Sequence, residues 1–192
     1  MTTRVVTGKV RFSYCYVGAA RRNEMSGNDE FSTQILVSKD DKETVSALKA
    51  AAKVALQGKF GDKIPPKIRN PLRDGDTETR GDGSPLGAEY QNHYFLTVKS
   101  SKRPGIIDAH GVELLGSDDV ASGDFGRVAI NAFAYDTAGN RGVSFGLDNV
   151  QLLEKGSNLG GGRKSAFEDF GVTAKPAPAA AAAATVEEDD AW

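Results

Sequence analysis

Residues 126–135 read GRVAINAFAY, residues 136–140 DTAGN and residues 142–153 GVSFGLDNVQLL. Two segments rich in Val, Ile, Leu and Phe flank a short turn containing Gly and Asn, the pattern of a β-hairpin. Alternation along the first segment puts Val128, Ile130, Ala132 and Ala134 on one face and Arg127, Asn131, Phe133 and Tyr135 on the other. Two packings satisfy this pattern. If the small apolar face turns inward, Phe133 and Tyr135 stand outside beside Arg127. If the aromatic rings fill the core, the small residues lie under a loop.

The same period recurs towards the N-terminus. In residues 5–17, Val10, Phe12, Tyr14 and Tyr16 share one parity, which predicts a strand with three stacked aromatics flanked by Lys9, Arg11, Arg21 and Arg22. Residues 30–38, EFSTQILVS, and residues 90–100, YQNHYFLTVKS, predict two more strands. One helix interrupts them. Asp40 with Glu43 three residues on resembles a capping box, Val45, Leu48, Ala52 and Ala55 recur at helical spacing, and Gly58 predicts the stop, giving a helix over about residues 41–57. The connection from 60 to 91 is rich in Gly, Pro and Asp, and loops of such length are functional or disordered. Five or more strands and one helix predict an all-β to α+β fold, an OB-like and mostly antiparallel β-barrel with long loops.

Two domains of behaviour follow: a folded body over residues 1–172 and a tether over residues 173–192. The tether ends KPAPAAAAAATVEEDDAW. Pro176 and Pro178 block helix growth and six alanines are too few to hold a helix in water, so a disordered C-terminal tail is expected. Its tip sets Glu187, Glu188, Asp189 and Asp190 beside the terminal Trp192. That is either a solubility tail or a peptide that docks an aromatic anchor in a basic pocket. The formal charge of −2 is concentrated there, because all but four of the 26 acids and all but one of the 24 bases lie in a nearly neutral body. A coat of charge is excluded; a local basic groove is not.

Cys15 is the sole cysteine, so an intrachain disulfide and a cysteine-based zinc cluster are excluded and a reducing compartment is expected. The N-terminus has no apolar signal region and no stretch reaches the roughly 20 apolar residues of a membrane helix, so a soluble, cytoplasmic protein without a membrane partner is expected. No cofactor or metal is implied. His93 and His110 form no ligand pair, SNLGGGRKS lacks the glycines of a phosphate loop, and Asp74, Asp76, Asp82 and Asp108 fall in turns that use Asp for local hydrogen bonds. A nuclease centre built from those four aspartates is the enzymatic alternative, and a structural or adaptor protein is a third reading. No catalytic residue is assigned.

Five segments taken in order resemble a known family: NPLRDGD from Asn70, HYFLTVKSSKRPGIID from His93, GRVAINAFAYD from Gly126, GNRGVSFGLDNVQLLEKG from Gly139 and GRKSAFEDF from Gly162. They are similar to a bacteriophage and prophage family of OB-fold single-stranded DNA-binding proteins, formerly a domain of unknown function, over residues 4–172. The resemblance implies a non-enzymatic protein that coats ssDNA in phage replication, recombination or repair, in the cytoplasm of an infected or lysogenic bacterial host. The tail resembles those of bacterial and phage ssDNA-binding proteins, whose acidic tip recruits replication enzymes; there the last residue is typically Phe, where this chain has Trp192. Strand parity and charge nominate the DNA-contacting residues: Arg11, Tyr14, Tyr16, Arg73, Lys99, Lys102, Arg103, Arg127, Phe133, Tyr135 and Arg141.

Overall fold

The structure is a computed structural model and describes residues 2–24, 27–137 and 139–159. Its longest feature is the hairpin of β7 (Phe125–Thr137) against β8 (Asn140–Glu154), antiparallel and paired to the turn at Thr137↔Asn140. Before it come β1 (Arg4–Val6), β2 (Val10–Arg22), β3 (Asp29–Ser38), α1 (Lys42–Phe60), β4 (Arg73–Asp74), β5 (His93–Ser100) and β6 (Gly105–Ile107). A turn of 3-10 helix, Ala88–Tyr90, precedes β5.

The pairings close on themselves. β2 pairs with β3, β3 with β5, β5 with β8, β8 with β7, and β7 with β2, a ring of five strands in which only the β5–β8 step is parallel. Short β1 continues along β7 beyond the point where β2 leaves it, and β6 continues along β8 beyond β5. The result is OB-like and mostly antiparallel, with one α-helix among the described residues, as the pattern predicts. Inside the ring lie Val10, Phe12, Ile35, Val37, Leu96, Val98, Val128, Ile130, Ala132, Phe145 and Leu147. The small apolar face of β7 is therefore the inner one.

One strand departs from its predicted parity. Tyr14 takes φ 46°, and the register runs from Ser13↔Gln34 to Tyr16↔Ser32, three steps on β2 against two on β3. This extra residue is a β-bulge, and every side chain beyond it changes face. Phe12 is fully buried before the bulge, whereas Cys15 and Val17 turn inward after it. The expected stack of Phe12, Tyr14 and Tyr16 does not form: Phe12 is core, and both tyrosines lie outside it.

The helix is also displaced from its predicted limits of 41–57. Asp41, rather than Asp40, caps it by accepting from the Thr44 N–H at 2.9 Å, and it runs through Gly58 to Phe60. Gly58 is exposed with open space around it, so it costs the helix only glycine's entropy. Gly61, at φ 61°, ends the helix by donating to the Gln57 carbonyl at 2.8 Å. Val45, Leu48, Ala51 and Ala55 carry the helix onto the core.

The long connection is ordered where it touches the ring. Lys39 binds Asp74 at 2.6 Å and Asp76 at 2.7 Å, and Asp76 accepts from the Asn92 N–H at 2.9 Å. On the outer face of β3 and β5, Tyr90 meets Phe95 edge-on at 5.2 Å and both pack on Leu36.

Candidate nucleic-acid interface

Register alone defines the outer face of the ring. One transverse row runs Tyr16, Ser32, Lys99, Gly146 and Asn131 across β2, β3, β5, β8 and β7. The neighbouring row carries Ser13, Gln34 and Thr97, and on the other hairpin Ser144 opposite Phe133. Apart from the rings of Tyr16 and Phe133 these positions are polar or small, and they alternate with the buried ones. They form a floor on which a planar group can rest without meeting a bulky aliphatic side chain.

Above the β2–β3–β5 part of this floor is an open groove of about 390 Å³, lined by Tyr14, Tyr16, Arg21, Arg22, Ser32, Gln34 and Thr97 among others. Tyr14 is 62 % exposed because the bulge turns it outward. Arg21 donates to the Tyr16 hydroxyl at 3.0 Å, with its guanidinium 5.0 Å from the ring centre, so ring and cation form one unit. Lys99 pairs with Glu30 at 3.1 Å. Asn23, donating to the same carboxylate at 2.9 Å, and then Lys99 hold Glu30 below its ordinary range. Phe133, 44 % exposed, lies on the same face beyond the groove, with Gly146 beside its ring.

The remaining nominated residues are engaged elsewhere. Arg11 donates to the Gly123 and Ser157 carbonyls at 3.2 and 3.1 Å and lies over Phe125. Arg73 pairs with Glu78 at 2.6 Å over the Phe95 ring. Arg103 donates to the Leu115 carbonyl at 2.7 Å, and Arg141 pairs with Asp136 at 2.9 Å beside the hairpin turn. Arg127 donates to the Thr7 carbonyl at 3.1 Å and lines a separate apolar groove of about 290 Å³ with Val6, Ile107 and Val150. Tyr135 is half-buried across Gly142, where an added Cβ would come within 2.6 Å of its hydroxyl. Lys102 is exposed in the turn between β5 and β6.

Thus Tyr14, Tyr16, Lys99 and Phe133 share one face, while the five arginines of the nominated set also tie strands and loops together. Charge alone did not distinguish these. Ser32, Gln34 and Thr97 were not nominated, although their alternation with Thr33, Ile35 and Val98 carried the signal. Glu187, Glu188, Asp189, Asp190 and Trp192 lie outside the described residues.

The turn aspartates have local partners. Asp82 accepts from the Ser84 hydroxyl at 2.6 Å and its N–H at 2.9 Å, Asp108 from the N–H groups of Val112 and His110 at 2.8 Å each, and these bonds hold both carboxyls low. Among the described residues no group of three His, Cys, Asp or Glu is placed to hold a metal ion. Burial pushes the Cys15 thiol up to about 11, so it stays protonated. No described helix is long and apolar enough to cross a membrane.

The family model described as Enterobacter phage Enc34, ssDNA-binding protein, matches residues 3–180. Among solved structures, the chain is similar to the single-stranded DNA-binding protein from bacteriophage Enc34 in complex with ssDNA, at 16% identity over 82% of this chain and 90% of that one, with a TM-score of 0.71. The same phage's protein in another structure matches at 15% identity over 88% and 90%, TM-score 0.68. Gp2.5, a single-stranded DNA-binding protein encoded by bacteriophage T7, matches at 15% identity over 94% and 100%, TM-score 0.53. No curated protein sequence matches the chain.

Proposed function

The chain belongs to the Enterobacter phage Enc34 ssDNA-binding protein family, and we propose that it coats and protects single-stranded DNA in phage replication, recombination or repair, without catalysing a reaction. The observation that carries this reading is the groove on the outer face of the closed ring, with a polar floor beside exposed Tyr14 and half-buried Tyr16. Bases stack on Tyr14 and Tyr16, and on Phe133 where the strand crosses to the other hairpin. Each stacked ring contributes roughly 1 to 3 kcal/mol and is indifferent to base identity. Arg21, Arg22, Lys99 and Lys102 meet phosphates and release counterions, so affinity falls steeply with salt. Arg11, Arg73, Arg103, Arg127, Tyr135 and Arg141 support the surface and reach DNA only at its margins.

The tail acts in recruitment. Glu187, Glu188, Asp189, Asp190 and Trp192 dock replication or recombination proteins in the host cytoplasm, a reading supported by the composition of the tip. The same acids compete with the phosphates of DNA for the basic side chains. Titration of the intact and 174–192-deleted protein against ssDNA, duplex and RNA tests both parts: the intact chain binds oligo(dT), and deletion tightens binding most at low salt. No binding to oligo(dT) would sink the DNA reading, and unchanged affinity on deletion would remove the competitive role of the tail.

A further inference from the structure

Beside the groove floor, on the same outer face, lies a chain of hydroxyls that stacking does not require. Ser13 and Tyr90 are 4 % and 5 % exposed, and their hydroxyl oxygens are 3.2 Å apart. The Tyr90 hydroxyl donates to Gln34 Oε1 at 2.5 Å. A phenol has one proton, so with that proton on Gln34 the Ser13 hydroxyl is left to donate to Tyr90. Burial raises the Tyr90 pKa, which keeps it a donor. The ring is fixed edge-on against Phe95, at the end of the connection that Lys39 ties down through Asp74 and Asp76.

A side-chain amide has one acceptor end and one donor end. With Oε1 held by Tyr90, Gln34 has its nitrogen left to offer, and among the described residues nothing accepts from it. Gln34 lines the groove and is half-buried. We propose that Gln34 is a base-reading residue, its Nε2 donating to a base carbonyl, with Tyr90 and Ser13 as the positioning residues that fix the amide. Thymine, cytosine and guanine carry such a projecting carbonyl oxygen; adenine offers only acceptor nitrogens set back in its rings. Stacking on Tyr14 and Tyr16 gives affinity for any base, and Gln34 adds a bias against adenine. This inference rests on the DNA reading above.

The test compares the full chain with Gln34→Met, which keeps the volume and removes the donor, and with Tyr90→Phe, which removes only the hydroxyl that orients it. Each is titrated with oligo(dT), oligo(dA) and an abasic oligomer of equal length, after thermal melts confirm folding. Gln34→Met is expected to weaken oligo(dT) binding about three- to tenfold, as loss of one hydrogen bond predicts, with oligo(dA) and abasic DNA changed by less than about twofold. Tyr90→Phe is expected to give a smaller loss of the same kind and keeps the proposal testable should Gln34→Met fail to fold. Equal weakening of all three oligomers would make Gln34 a phosphate ligand and overturn the proposal, as would unchanged oligo(dT) binding. Failure of the native chain to bind any of the three would instead overturn the DNA-binding function itself.

Discussion

Tyr14 holds φ 46°, a left-handed conformation that costs a non-glycine residue roughly 1 to 2 kcal/mol. Strain retained at an exposed aromatic points to a use for that ring, because folding would be better served by glycine. Tyr14→Gly is expected to raise the urea midpoint while weakening ssDNA binding by about 1 to 3 kcal/mol, the worth of one stacked base. Phe12, two residues earlier and fully buried, gives the opposite result: Phe12→Ala should cost about 3 to 5 kcal/mol of folding stability. A loss of stability in Tyr14→Gly would remove the argument from strain. Glu30 sets a second prediction at this scale. Its carboxylate occupies Lys99, so Glu30→Gln frees that ammonium and should tighten ssDNA binding while steepening its salt dependence by up to about one phosphate contact; weaker binding would show that Glu30 orients Lys99 rather than competing for it.

Among the elements, β2 shows why alternation misleads at a bulge. Val10 and Phe12 obey the predicted parity, and one inserted residue then exchanges the faces, so Val17 rather than Tyr16 is fully buried. Nothing in RFSYCYV marks the insertion, since Tyr is compatible with either face. On β7 the small residues Ala132 and Ala134 left two packings open, and the pairing of β7 with both β2 and β8 selected one by turning Val128 and Ile130 into the ring. The helix tests its own terminus. Gly58→Ala adds a methyl in open space at a helical position and should stabilise the fold by about 0.5 to 1 kcal/mol. Gly61→Ala places a Cβ at φ 61° and should destabilise it. Equal effects in urea denaturation would contradict the assignment of Gly61 as the terminus.

Over the whole molecule, the charge pairs give stability a defined pH dependence. Glu30, Asp74, Asp76, Glu78, Asp82 and Asp108 are all held below their ordinary carboxylate values by hydrogen bonds and neighbouring cations. Groups depressed in the folded state stabilise it above their unfolded values of 3.8 to 4.5, and that contribution is lost as pH falls through the lower folded values. Lys39 is raised by Asp74 first and Asp76 next, so its share is complete below 10.5 and is lost only when pH exceeds the higher folded value. The urea midpoint should therefore change little in this respect between pH 5 and 9 and fall below about pH 4. Lys39→Met should lower the plateau and shrink the acid-side drop, because Asp74 and Asp76 lose their partner. An undiminished drop in that variant would show that the other carboxylates carry it.

Local chemistry settled the five strands of the ring, the hairpin, the helix and the polar face of β3, though not short β1, β4 and β6, because a period of two, a turn with Gly and Asn and a capping aspartate act over a few residues. The segregation of acid into the last residues was equally open to reading. What needed the folded chain was the meeting of residues far apart in sequence: Tyr16, Ser32, Lys99 and Gly146 in one row, and Tyr90 carried back by a long connection to Gln34 and Ser13. The same holds for Arg11, Arg103 and Arg127, whose carbonyl partners lie 112, 12 and 120 positions away. Charge and aromaticity are properties of a residue; whether a guanidinium meets solvent or a carbonyl depends on ring closure, which is a property of all five strands at once.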